Sequence, residues 1–265
     1  MIAVYKHEVR SAYNNLTVYL FSAALLCFVG LGAMYYNIQA SVANFEYVLS
    51  FVSIGLVVII PVLTMRSFAE ERKQKTDQLL YSLPLKTWQI VVGKYLSLVT
   101  MFFVPMAIIC LYPYVFSLYG DVYLPGAYGA LAAFFALGAA LIALGMFLSS
   151  LTDNQGFAAG IAIVLFLLNY YSVTLAEQVS TTALGSAAAL GVGGGLVLLD
   201  VAGYCIAPGR FENLLPNIMK KLSLFERFST FVDGMFDLTA LVFYASVIGL
   251  GLFLTVQSLE KRRYN

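Results

Sequence analysis

Six apolar stretches of this chain carry no charged side chain and are long enough to cross a bilayer, beside a seventh, built from Ala and Gly, that ends at Asp200. The six run between Arg10 and Glu46, Glu46 and Arg66, Lys94 and Asp121, Asp121 and Asp153, Asp153 and Glu177, and Asp237 and Glu260. A membrane-spanning helix needs about 20 mainly apolar residues, and it is favoured there because all its backbone groups bond internally. Spans are therefore expected near 16–36, 47–65, 95–116, 127–148, 156–175 and 237–257. With 61% hydrophobic and 11% charged residues, a water-soluble globule would expose large apolar patches. A disordered chain is excluded for the same reason. The expected fold is an all-α integral membrane protein with six transmembrane helices.

The remaining composition removes several function classes. A net charge of +1 gives no basic field for nucleic acid. The single histidine, His7, excludes a His-based metal cluster. Cys27, Cys110 and Cys205 are odd in number and lie within apolar runs, so they read as small buried hydrophobes and not as a disulfide framework. The first apolar run is longer than the hydrophobic core of a signal peptide, so the first span is expected to remain in the mature protein.

Basic residues orient the spans, since Lys and Arg concentrate in cytosolic segments. The connections 37–46, 117–126 and 176–182 have none. The segment 66–94 has Arg66, Arg72, Lys73, Lys75, Lys86 and Lys94. Lys6 and Arg10 flank the first span, and Lys261, Arg262 and Arg263 follow the last. Both termini and 66–94 are thus expected in the cytosol, which requires an even number of crossings. A seventh apolar run, 183–206, breaks that parity. It is rich in Ala and Gly and contains Asp200, a carboxylate that costs about 2.5–3.5 kcal/mol at the bilayer centre on insertion scales. The reading adopted is six full spans, with a re-entrant or outer-side helical segment over 183–231. Arg210, Lys220, Lys221 and Arg227 keep a seventh span open as the alternative.

Two segments outside the spans have helical spacing. Ile2, Tyr5, Val9, Ala12 and Leu16 recur at three- and four-residue intervals, opposite Lys6, Arg10 and Asn14. This predicts an amphipathic helix at the membrane interface; a plain extension of the first span is the alternative. The second segment, Arg66-Ser-Phe-Ala-Glu-Glu-Arg-Lys-Gln-Lys-Thr-Asp-Gln-Leu-Leu-Tyr-Ser-Leu-Pro84, has no Gly and no Pro before its end. Glu71 and Lys75 form an i,i+4 pair in the favourable order. Pro84 ends the segment, and Thr87 is a candidate cap for the next helix, which is expected to run through Gly93-Lys94 into the third span. By composition alone, a solvated loop obeying the positive-inside rule accounts for it equally well.

Arg66, Glu70-Glu71, Thr76, Leu79-Leu80, Pro84 and Gly93-Lys94 together resemble the cytosolic signature of type-2 ABC transporter permeases. The likeness is closest to the gliding-motility and copper-enzyme-maturation branch. The C-terminal pattern is similar too: Leu222-Ser-Leu-Phe-Glu-Arg-Phe-Ser-Thr-Phe-Val-Asp-Gly-Met-Phe-Asp237, an apolar span, then Leu259-Glu-Lys-Arg-Arg263. The resemblance implies that the segment after the second span is a coupling helix docking on a separate ABC ATPase subunit. Phe68, Glu70, Glu71, Arg72, Thr76, Leu79 and Leu80 are its candidate contacts. It implies a second contact in the loop Ser149-Ser-Leu-Thr-Asp-Asn-Gln155, through Thr152, Asp153, Asn154 and Gln155. Thr152 and Gln155 also have capping-box spacing for the fifth span, so a simple helix-starting turn is the competing reading.

No catalytic residue, metal site or bound cofactor is expected on this chain. A phosphate-binding loop needs G-x-x-x-x-G-K-[ST], whereas Gly93-Lys94 is followed by Tyr95, and Trp88 stands where the first Gly belongs. Gly191-Val-Gly-Gly-Gly195 ends on Leu196 and is not a dinucleotide fingerprint. ATP and Mg would sit on the partner ATPase. Gly156 and Gly160 permit close helix approach, within the chain or to a second copy. Pro61, Pro105 and Pro113 can kink their spans. Asp200 faces either an outer cavity or the headgroup layer.

The function these features point to is the permease subunit of an ATP-driven exporter in a prokaryotic plasma membrane. Its expected partners are an ABC ATPase, a second copy or similar permease, the lipid bilayer and an outer-facing accessory protein. A non-catalytic membrane anchor or assembly subunit is the alternative. An integral-membrane enzyme ranks below both, because no His, paired acids or G-x-S-x-G lies within the spans. Cysteines placed at Ser82 and Ser258 should be labelled only from the cytosolic side. Labelling of Ser258 from outside and Ser82 from inside would establish an odd number of crossings.

Overall fold

The computed structural model describes residues 2–14, 16–40, 42, 44–73, 86–181 and 221–264, which are helical apart from short turns. Among the described residues, six helices are long and apolar enough to span a membrane: Val18–Gln39, Glu46–Ala69, Thr87–Ser117, Leu124–Leu151, Gln155–Ser172 and Leu238–Arg262. They arise from the six charge-free stretches, and the protein is an all-α integral membrane protein. The seventh run, 183–206, with Asp200, lies outside the described residues, as do Thr76, Leu79 and Leu80.

The chain divides into two compact units, Met1–Val164 with Phe228–Asn265, and Leu165–Arg227. In the first, α1 (Ile2–Asn14) packs along α5 (Thr87–Ile109). Tyr5, Val9 and Ala12 are partly buried, and Lys6, Arg10 and Asn14 are exposed, as the spacing predicts. Leu16 departs from that face: it begins the next helix and is 80% exposed. The Tyr5 hydroxyl hydrogen-bonds the Thr100 hydroxyl at 3.1 Å, fixing α1 on α5.

Helix α2 (Leu16–Ala33) runs into a π-helical stretch, Met34–Gln39. There Tyr36 stacks on Tyr47 and meets Phe51, both on α3 (Glu46–Thr64). Tyr35, Tyr114, Tyr119 and Tyr123 are exposed at the ends of spans whose connections lack Lys and Arg. Amphipathic rings of this kind favour the membrane–water boundary.

Prolines shape two of the spans. Within α3, Pro61 has no N–H, and the helix ends four residues on at Met65, whose N–H closes onto the Pro61 carbonyl at 2.8 Å. A short helix, α4 (Arg66–Lys73), follows at once. The third span breaks at Cys110 into α5 and α6 (Leu111–Ser117). Pro113 cannot donate to the Ile109 carbonyl four residues back, so the ladder is interrupted there. Helix α5 begins at Thr87 and runs through Lys94 into the third span, as the sequence predicts. Thr87 is its first residue and not its cap, the cap position being Lys86, which contributes no side-chain bond.

Helix α7 (Leu124–Leu151) is the centre of this unit, contacting α3, α4, α5 and α10 (Leu238–Tyr264). Close approach depends on its small residues. The Phe102 ring lies against Gly138, the Thr64 side chain against Gly145, and Gly251 of α10 against Ala143. Gly156 and Gly160, the G-x-x-x-G pair, make no such approach: among the described residues nothing stands within 4 Å of where a Gly160 Cβ would be. Intramolecular packing of that motif is therefore replaced by an open face that also carries Phe157 and Ile161.

The fifth span is α8 (Gln155–Thr181), and a short α9 (Leu224–Val232) precedes α10. In the second unit, the Asn169 side-chain oxygen accepts the Leu224 N–H at 3.1 Å, and the Ser223 hydroxyl accepts the Glu226 N–H at 3.2 Å. Ser223-x-x-Glu226 is a capping-box spacing. Helix α9 closes in a Schellman turn: Gly234 has φ +81°, its N–H reaches the Phe231 carbonyl, and the Met235 N–H reaches that of Thr230. Asp237 then caps α10 by accepting the Thr239 N–H at 2.8 Å.

Identical glycine replacements should therefore have opposite consequences. Gly138→Ala forces a methyl against the buried Phe102 ring. Overpacking costs about 1–3 kcal/mol, offset in part by the roughly 1 kcal/mol that Ala gains over Gly in a helix. Gly249→Ala meets open space and keeps the propensity gain. In detergent, thermal unfolding should shift down for the first and hold or rise for the second.

Candidate functional site

Among the described residues, the ion pairs of the first unit all involve basic residues of the segments expected in the cytosol, Arg72, Lys94 and Arg262. Helix α4 leaves α3 with unsatisfied N–H groups, as every helix start does. A residue of another helix supplies their acceptor. Ser149 of α7 is fully buried, and its hydroxyl accepts the Phe68 and Ala69 N–H groups, each at 3.3 Å. The same hydroxyl donates to the Met65 carbonyl at 3.1 Å. One side chain thus pins the turn from α3 into α4. Ser149 lies within α7, which continues to Leu151, so the expected loop shrinks to 152–154.

Lys94 supplies the second tie. Its ammonium is 2% exposed and donates to the Glu8 carboxylate at 3.0 Å and to the Ser67 carbonyl at 3.1 Å. It also stands 5.2 Å from the centre of the Phe68 ring, a cation–π distance. This explains how α5 carries a lysine so deep in its packed length: a buried ammonium must be paired and hydrogen-bonded. Three segments meet on it, namely α1 through Glu8, α4 through Ser67 and Phe68, and α5 itself.

Arg72 makes the third tie. Its buried guanidinium pairs with the Asp153 carboxylate at 3.5 Å, and Arg262 of α10 reaches the same carboxylate at 3.2 Å. Arg262 also donates to the Leu151 carbonyl at 2.6 Å, and the Ser258 hydroxyl to that of Ser150 at 3.3 Å. Asp153 is 71% exposed, and solvent-exposed pairs contribute only about 0–1 kcal/mol. The Arg72–Asp153–Arg262 group therefore orients the loop more than it binds it.

The residues singled out in the sequence are distributed as follows. Phe68 is buried at 3% exposure and serves as an internal anchor of α4. Glu70, Glu71 and Arg72 follow it on α4. Arg72 and Asp153 are brought together, joining the two expected contact segments. Thr152 accepts the Asn154 N–H at 3.3 Å, and Asn154 accepts the Gly156 N–H at 3.0 Å. The cap of α8 is thus Asn154, one position before Gln155, and not Thr152. Asn satisfies an N-terminal donor as well as Thr does, and it stands in the right place. The roles of Glu8, Ser149 and Arg262 were not anticipated. Ser149-Ser150 at the end of an otherwise apolar run was the available signal for the first capping contact. Among the described residues no group of His, Cys, Asp and Glu could hold a metal ion.

A double-mutant cycle tests the Lys94 site. Glu8→Ala leaves a buried ammonium short of its counter-charge. Breaking a buried pair costs about 3–5 kcal/mol, and the partial exposure of Glu8, 26%, places this one at the lower end. Lys94→Met removes the charge and keeps the chain length. The double variant should lose less stability than the sum of the singles, read from unfolding midpoints in detergent. Additivity within about 0.5 kcal/mol would show that the two side chains act independently.

The model of a family described as ABC-2 family transporter protein matches residues 4–191. The matched stretch includes Glu8, α4, Lys94, Ser149 and Asp153. No curated protein matches the sequence. The match extends over well over half of the chain, and the chain belongs to the ABC-2 family of transporter proteins, the membrane permease components that work with an ABC ATPase subunit.

Proposed function

We propose that this chain is the membrane-spanning half of an ATP-driven exporter and that α4 receives the movement of its ATPase. The observation that carries the reading is the fixation of α4 at its start. Ser149 and Lys94 bind its first turn to α7, α5 and α1, so displacement of α4 displaces those helices with it. ATP and Mg bind the ATPase subunits, whose closure moves α4 and shifts the permease between inward- and outward-facing populations. The termini and 66–94 face the cytosol of a prokaryotic cell, in keeping with the Lys and Arg distribution. The chain is proposed to fall in the gliding-motility and copper-maturation branch, a reading supported by the resemblance of 66–94 and of the C-terminal pattern. A second permease copy completes the pathway, and the open Gly156–Gly160 face of α8 suits its close approach.

The coupling role is tested by Glu71→Ala combined with Leu80→Ala. If these side chains only face water, the loss is a few tenths of a kcal/mol per pair. If they seat in the ATPase, truncating a buried interface contact costs about 2–5 kcal/mol. Membrane insertion and expression should stay near wild type, while copurification of the ATPase falls sharply or hydrolysis runs without transport. Full complex formation with full transport would remove the coupling role.

A further inference from the structure

A groove of about 470 Å³ opens between the final turns of α7 and α10. Phe147, Leu151 and Leu254 form its apolar part, and Gln257, Lys261 and Arg262 its polar rim. We infer that it holds one anionic phospholipid, with the phosphate against Lys261 and Arg262 and an acyl chain along Leu254 and Phe147.

Depth supports this occupant. Helix α10 begins at Leu238, and a helix rises 1.5 Å per residue. The roughly 30 Å hydrocarbon core is therefore crossed in about 20 residues, ending near Gln257 and Ser258. The groove straddles that level, so Leu254 lies at the hydrocarbon edge while Lys261 and Arg262 lie among headgroups. Helix α10 is also among the least buried of the spanning helices, leaving its flank open to lipid.

Charge supports it equally. Arg262 is held in position by Asp153 and the Leu151 carbonyl, and it retains further N–H donors. Lys261 is exposed and has no carboxylate partner among the described residues. Basic pockets between helices at the headgroup level favour anionic lipids. This chemistry is the same whichever membrane face the groove occupies, so the inference stands apart from the exporter reading.

The test uses the full chain in mixed micelles with equal phosphatidylglycerol and phosphatidylcholine of matched acyl length, and native mass spectrometry to count retained lipid. Wild type should retain phosphatidylglycerol preferentially. Lys261→Glu should lower that retention about fivefold or more, the worth of one basic residue at an anionic surface. Leu254→Trp fills the apolar part without changing charge and should lower it as well. Lys6→Glu, an exposed cation of α1, should leave it unchanged. Absence of a wild-type preference would overturn the site. So would equal losses for Lys6→Glu and Lys261→Glu, which indicate diffuse surface charge, or full retention in Leu254→Trp. A change in dimer fraction without a change in lipid would assign the groove to a second copy and likewise overturn it.

Discussion

The cost of burying one ammonium group organises the basic end of this protein. Lys94 sits in a continuous helix at 2% exposure, where an unpaired charge would be untenable. Its compensation comes from a carboxylate on α1, a carbonyl and a ring on α4, and from no single neighbour. Those segments must therefore be in place together. An amphipathic N-terminal helix and a short post-span helix, each too short to be stable alone in water, become parts of one packed unit.

The membrane-spanning part depends on a different economy. Lipid tails are as apolar as the side chains, so helices associate through close packing and not through water exclusion. Helix α7 provides it with Gly138, Ala143 and Gly145, which admit Phe102, Gly251 and Thr64 respectively. The buried Thr64 hydroxyl returns its proton to the Ile60 carbonyl of its own helix at 3.1 Å, so the contact leaves no polar group bare.

The spans were legible because charge is so costly in a bilayer that its absence marks them; setting the Ala- and Gly-rich run 183–206 apart from the six also took the Lys and Arg distribution. Side-chain partnerships were not legible, because they join residues far apart in sequence. The sequence puts Lys94 on a helix that runs into the third span, and it lies there; what no local pattern shows is that Glu8 neutralises it from more than eighty positions away. Ser149 was read as the start of a loop, yet it is the acceptor for another helix. Thr152 and Thr87 had cap-like chemistry, but caps are decided by which oxygen reaches the free N–H, and Asn154 stood closer. The Gly156–Gly160 motif drew attention by its spacing, whereas the close contacts fell on Gly138 and Gly145, whose partners no local pattern reveals.

The ties on α4 are unequal, and the inequality has a direction. Its first turn is held by buried contacts, the Ser149 hydroxyl and the Lys94 ammonium. Its last described turn is held through Arg72 by Asp153, a carboxylate that is mostly in water. Salt and solvent screen the latter and leave the former nearly untouched. In the proposed exporter, a push on the far end of α4 would therefore break or re-form the Asp153 pairing at little cost while the first turn holds. The displacement then passes through Ser149 into α7, the helix that packs against α3, α4, α5, α6 and α10. The stiff end of the short helix is thus joined to the element best placed to move the rest.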